Sequence, residues 1–145
     1  MYFDDSSIDH VLTSRGRTVT ETDIVNFAGI SGDFVALHMD EEFARAGPHK
    51  RRIAHGALIF SISTGMMVQT LTHPEAIVAY RGIDQLRFLA PVFIGDTIHL
   101  TKKVIDRHSK DGVRGVITFE SKVINQEGKL VLEYVDRLMV LCRQT

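Results

Sequence analysis

Gly56-Ala-Leu-Ile-Phe-Ser-Ile-Ser-Thr-Gly-Met-Met-Val-Gln-Thr-Leu71 carries no charged residue and is apolar nearly all round. A helix with that pattern is buried on every side. Its small residues, Ala57, Ser61, Ser63 and Gly65, let other backbone come close. Ser61, Ser63, Thr64 and Gln69 interrupt the run, which is too short and too polar for a bilayer of ~30 Å, so no membrane association is expected. Something must therefore wrap this helix, and the chain beyond it supplies strands. Ile77–Ala79 and Asp84–Leu89 are short candidates. Thr97–Asp106 alternates, with Ile98, Leu100 and Val104 on one face. Asp111-Gly112 is a hairpin signal, Val113–Ile124 follows, then a turn at Gln126-Glu-Gly128, then Lys129–Cys142. Three antiparallel strands of ten or more residues are long by ordinary standards. The expected fold class is α+β: a long, curved antiparallel sheet wrapped around one central apolar helix.

The segment before that helix reads differently. Thr18-Val-Thr-Glu ends a first strand and enters a helix, with Thr20 as N-cap and Asp23 completing a capping-box-like pair. Ile24, Val25, Phe27, Ala28 and Ile30 keep helical spacing, and Gly29 and Gly32 end the segment. Asp40 caps a second, short helix that Gly47-Pro48 stops.

The chain has 145 residues, 44% hydrophobic and 24% charged, which fits a single domain over residues 1–145 with a core of its own. Cys142 is the only cysteine, so no intrachain disulfide forms. The acidic start, Met1-Tyr-Phe-Asp-Asp, lacks the order of a signal peptide, and a cytoplasmic protein is expected. The net charge of −1 conceals an asymmetry: residues 1–42 hold nine acidic and two basic side chains, and the remainder is net basic. A nucleic-acid binder would be basic overall, so no nucleic-acid partner is expected.

The residues richest in chemistry are Ser31-Gly-Asp-Phe-Val-Ala-Leu-His38. Asp33 and His38 lie five residues apart in a glycine-containing connection between helices, an acid and a base within one short segment. The longer stretch Phe27-Ala-Gly-Ile-Ser-Gly-Asp-Phe-Val-Ala-Leu-His-Met-Asp-Glu-Glu-Phe-Ala44 resembles the signature of MaoC-like (R)-specific enoyl-CoA hydratases, G-D-x-N-P-x-H followed by a short helix. Arg52-Ile-Ala-His-Gly-Ala-Leu58 resembles that family's entry to its central helix, and Arg87-Phe-Leu-Ala-Pro-Val-Phe-Ile-Gly-Asp-Thr97 its strand-corner-strand segment. The resemblance covers roughly residues 14–142 and implies a hot-dog fold. The chain departs from it at Val35-Ala36, where the family has Asn-Pro. Pro would stiffen the loop and Asn would add hydrogen bonds.

The resemblance implies a hydro-lyase that adds water reversibly to a trans-2-enoyl thioester, giving the (R)-3-hydroxyacyl thioester. Asp33 and His38 are then the catalytic acid–base pair sharing one water, and the N–H of Gly56 is the oxyanion donor. A helix N-terminus suits that task, since its first N–H groups are unpaired and partly positive. His55 and Thr64 are candidate substrate-side residues near the pair, His55 also as a packing or tautomer-fixing group. Lys50, Arg51 and Arg52 are candidates for the coenzyme A phosphates. No separate cofactor is expected; coenzyme A enters as part of the substrate, with acyl-carrier protein as the other carrier. The histidines show no metal-ligand spacing and no metal site is expected. Two other readings stay open: a non-catalytic acyl-thioester-binding or scaffold subunit, and a hot-dog acyl-CoA thioesterase. The central helix contains no Asp or Glu, which counts against the thioesterase. Relatives place their tunnels between two copies, so a homodimer is expected.

Overall fold

The computed structural model describes residues 1–109 and 111–144. Six antiparallel strands form one sheet: β1 (Val11–Thr13), β2 (Arg17–Thr18), β3 (Ile77–Phe88), β4 (Thr97–Ser109), β5 (Arg114–Asn125) and β6 (Leu130–Leu141). Their order is β1-β4-β5-β6-β3, with β2 paired to the other end of β4. Gly112 and Gly128, at φ 69° and 76°, supply the left-handed positions of the two hairpin turns. Alternation puts Ile98, Leu100 and Val104, then Ile117, Phe119 and Val123, then Leu132, Leu138 and Val140 on the inner face.

The long helix α4 (Gly56–Thr70) lies against that face. Leu58, Ile59, Ile62, Met66 and Met67 join the inward strand residues in one core. The expected sheet wrapped on one helix is what the chain forms. Among the described residues, no helix is long and apolar enough to cross a membrane.

Four local expectations need correction. Ile77–Ala79 and Asp84–Leu89 are not two strands: all but Leu89 belong to the single strand β3. The ladder with β6 slips at three places, beside Gly82 (φ 154°) and Gln85 (φ 55°), and those bulges break the alternation that would have joined them. α4 is not buried on every side: Ala57, Ser61, Gly65, Val68 and Gln69 lie along an exposed face. Gly29 does not end a helix: α1 runs Glu21–Ser31 and closes at Gly32, left-handed at φ 79°. Fourth, the inward face of β4 is not wholly apolar. Lys102 occupies the position between Leu100 and Val104 and is 1% exposed. Its Nζ donates to Asp136 at 2.5 Å.

The start of α1 is the capping box expected. Thr20 Oγ1 accepts from the Asp23 N–H, and the Asp23 carboxylate accepts from the Thr20 N–H at 2.8 Å. Two short helices follow, α2 (Ala36–Met39) and α3 (Glu41–Ala46), the latter capped by Asp40 through the Phe43 N–H.

Candidate active site

Asp33 sits where α1 turns toward α2. Ser31 Oγ donates to the Phe27 carbonyl and accepts from the Asp33 N–H, which stitches the turn. Asp33 Oδ1 accepts from the Val35 N–H at 3.3 Å. Val35 itself gives α2 no side-chain cap, so the aspartate holds a loop that lacks the family's asparagine. His38 belongs to α2 rather than to a loop.

Two backbone carbonyls decide the histidine tautomers. His38 Nδ1 lies 2.7 Å from the Ile53 carbonyl oxygen. That oxygen only accepts, so Nδ1 carries the hydrogen and Nε2 keeps a free lone pair. His55 Nε2 lies 2.9 Å from the Asp33 carbonyl oxygen by the same logic. The His55 ring, 2% exposed, stacks on His38 at 3.9 Å between centroids and lies 5.0 Å from the Phe27 ring, tilted by 55°. One buried imidazole thus braces both the turn of Asp33 and the ring of His38. The contacts His55 makes here are with the protein's own groups. Its Nδ1 is buried without a partner.

His55 is also the residue before α4, so Gly56 opens the central helix directly beside the pair. Next to it lies a cavity of about 460 Å³, walled by Gly56, Ala57 and Ile59 of α4, by Phe88 and by Leu132. The Phe88 ring rests on Gly56: a Cβ added there would stand 2.8 Å from two ring carbons. Glycine here permits a close approach to the helix N-terminus.

The other expected residues fall out unequally. Arg52 is occupied, its guanidinium donating to Glu21 and Glu41 at 2.7 Å each, and both carboxylates raise its pKa. It ties α1 to α3 through Nε and Nη1. Arg51 is exposed and lies over the Phe93 ring at 3.8 Å; Lys50 is exposed in a left-handed turn (φ 62°), and His49 lines the cavity. Thr64 donates to the Ser61 carbonyl of its own helix. Ile53 and Phe88 were missed as site residues. Ile53 acts through its backbone and leaves no mark in sequence; Phe88 lies inside the quoted Arg87–Thr97 segment.

Folding does create a group that chain spacing hides: Asp33, His38 and His55 offer ligand atoms within 4.8 Å of one another. Distance favours a cation there, but direction does not. Imidazole lone pairs lie in the ring plane, and two rings stacked 30° from parallel send theirs side by side rather than to one point.

The model of the MaoC-like domain matches residues 5–128. The chain belongs to that family. Among MaoC-like relatives, Protein MaoC of Klebsiella aerogenes is 42% identical over 92 residues, 63% of this chain but 27% of its own length. The (R)-specific enoyl-CoA hydratase of Rhodospirillum rubrum is 33% identical over 142 residues, 98% of this chain and 93% of that one. Of the first relatives, the larger ones are thus spanned only in part: 40% of the beta-methylmalyl-CoA dehydratase of Chloroflexus aurantiacus is covered. The monoamine oxidase regulatory protein of Archaeoglobus fulgius superposes at TM-score 0.89 with 37% identity, covering 99% of this chain and 96% of its own. A Mycobacterium tuberculosis protein described as a double hotdog fold superposes at TM-score 0.85 with 22% identity, covering 99% of this chain and 44% of its own. The MaoC-like chain described here accordingly has the hot-dog fold.

Proposed function

We propose that this MaoC-like protein is a hydro-lyase that adds water reversibly to a trans-2-enoyl thioester, giving the (R)-3-hydroxyacyl thioester. The observation that carries the reading is the His38–Ile53 hydrogen bond: it leaves Nε2 as a free base beside the Asp33 carboxylate, next to a helix N-terminus and an apolar cavity. A water held by Asp33 and His38 loses a proton to the pair as its oxygen bonds the β-carbon. The double-bond electrons move toward the thioester, and the growing enolate charge meets the Gly56 N–H. The pair then returns a proton to the α-carbon, closing the atom balance. Which of the two holds the proton at each stage belongs to the pair.

The exposed apolar side chains beside the site support a second copy as partner. Ile30, Phe34, Val35 and Phe43 lie near Asp33 and His38, and Phe88 and Leu89 near Gly56, all well exposed. A homodimer would cover them. Lys50 and Arg51 remain for the phosphates of a coenzyme A or carrier-protein thioester. The non-catalytic reading draws on the uncapped Val35, and the thioesterase reading has no carboxylate on α4 to work with.

Incubation with crotonyl-CoA separates all three. The hydratase loses enoyl absorbance without releasing thiol, and Asp33→Ala and His38→Ala each keep the wild-type circular dichroism while losing at least about a hundredfold in kcat/KM. Thiol release without hydration would put the thioesterase in its place. Unchanged turnover in either variant would remove the proposed pair.

A further inference from the structure

Among the residues lining the cavity beside Gly56, Ile59 and Leu132 are buried. What stands behind them is polar. Tyr134 is the next inward residue of β6 after Leu132, about 6.8 Å further along the strand. Its hydroxyl lies 2.9 Å from Ser63 Oγ, and Ser63 donates in turn to the Phe60 carbonyl. Helix and sheet are thus tied together one helical turn beyond Ile59. Phe60 packs edge-on against the Tyr134 ring. Lys102 donates to Asp136 Oδ2, Ser121 donates to Oδ1, and the Lys102 ammonium lies 4.5 Å from the centre of the Phe119 ring. Ser63, Ser121 and Asp136 have no exposed surface, and Lys102 has 1%.

This cluster differs from a ligand site in one respect that decides its role. Among the described residues, the side-chain nitrogen or oxygen that is buried without a partner is His55 Nδ1, and no atom of the cluster shares that condition. Nothing in it is left over for a substrate to meet. Pushing a chain through it would separate Ser63 from Tyr134 beside a buried ion pair, stranding groups that water cannot reach.

We propose that the Ser63–Tyr134 bridge, backed by Lys102–Asp136, is a plug that sets acyl-chain length. On the hydratase reading above, it restricts the substrates to short trans-2-enoyl thioesters of about four to six carbons. Ser63 lies seven residues beyond Gly56 on α4, about 10.5 Å along the axis. Subtracting a contact distance of about 3.5 Å leaves about 7 Å. Each carbon of an extended chain advances about 1.3 Å, from bonds of ~1.5 Å, so about five carbons fit beyond the carbonyl.

The test measures kcat/KM on crotonyl-, trans-2-hexenoyl-, trans-2-octenoyl- and trans-2-dodecenoyl-CoA. The wild type turns over the first two and loses at least about tenfold between hexenoyl and octenoyl. Tyr134→Ala, checked for folding by circular dichroism, moves that break to longer chains; Tyr134→Phe keeps the ring and keeps the break. Comparable turnover of crotonyl and dodecenoyl substrates would overturn the plug, with no need of a variant. So would a folded Tyr134→Ala that breaks where the wild type does. Calorimetric binding of butyryl-, octanoyl- and dodecanoyl-CoA separates this from the chemistry. A length break in binding without turnover would sink the hydratase reading and support the plug. Turnover and binding with no break would do the reverse.

Discussion

The imidazoles of His38 and His55 lie ring against ring, centroids 3.9 Å apart and planes 30° from parallel. The first carries the free Nε2 lone pair. The second donates to the backbone of Asp33 and precedes the helix that begins with Gly56. A proton placed on His38 during turnover therefore meets a neighbour whose own hydrogen is committed elsewhere, and all three elements of the site are referenced to one ring.

His55 is accordingly expected to act by positioning. His55→Phe preserves the stack and loses the hydrogen bond to Asp33, and kcat is expected to fall roughly tenfold to a hundredfold with little change in KM. His55→Gln, whose amide can still donate, should recover part of that loss. Steady-state kinetics across the pH range will show it. Wild-type kcat in His55→Phe would assign the ring to packing alone.

The Gly56–Phe88 contact predicts coupling. Phe88 is 55% exposed, so its ring can swing away from an added methyl, and Gly56→Ala should fold with a melting temperature close to the wild type. Activity should drop, because methyl and displaced ring both crowd the helix N-terminus. Phe88→Ala removes the second obstacle, so the double variant should lose less than the two single losses multiplied. Losses that simply multiply would show the contact to be irrelevant to the site.

Lys102 and Asp136 should behave as a buried pair. Lys102→Met alone strands the carboxylate and is expected to cost about 3–5 kcal/mol in urea unfolding. Lys102→Met with Asp136→Leu replaces both charges by apolar groups and should regain most of that. A single variant as stable as the wild type would mean that Asp136 is not relying on this cation.

Alkaline pH should weaken the fold. Burial is the main cause that pushes the Tyr134 phenol up to about 12, with the Asp136 charge assisting. An unfolded tyrosine loses its proton near pH 10, so between about 10 and 12 the unfolded chain binds fewer protons and stability falls as pH rises. Below about pH 10 the contribution is fully present. For Tyr134 it amounts to roughly 2–3 kcal/mol. Urea midpoints between about pH 9 and 11 should fall in the wild type and fall less steeply in Tyr134→Phe; a flat wild-type profile would contradict the assignment.

Much of this architecture is written in local pattern. An uncharged run of sixteen residues marks the central helix, though not that one of its faces stays exposed, and Thr20 with Asp23 marks a helix start that the structure reproduces atom for atom. The residues whose surroundings the sequence hides are those whose role depends on what lies across the fold. Lys102 interrupts an apolar alternation and reads as a surface lysine until Asp136, on another strand, is brought to it. Arg52 reads as a free cation until Glu21 and Glu41 arrive. The group that sets the His38 tautomer is a backbone carbonyl, which every residue possesses and no sequence advertises. β3 was divided in two because bulges erase the period by which strands are recognised.

Those bulges bear on how the folded chain keeps company at high concentration. β3 is an edge strand of twelve residues, with Val78, Tyr80 and Leu86 exposed, the kind of border on which cross-chain ladders grow into fibrils. Three changes of register prevent a straight, misfolded segment from lying along it for more than a few residues. The opposite border is guarded by brevity, since β1 is three residues long. The kinks that obscure the strand in the sequence are thus what keeps it from serving as a template for amyloid.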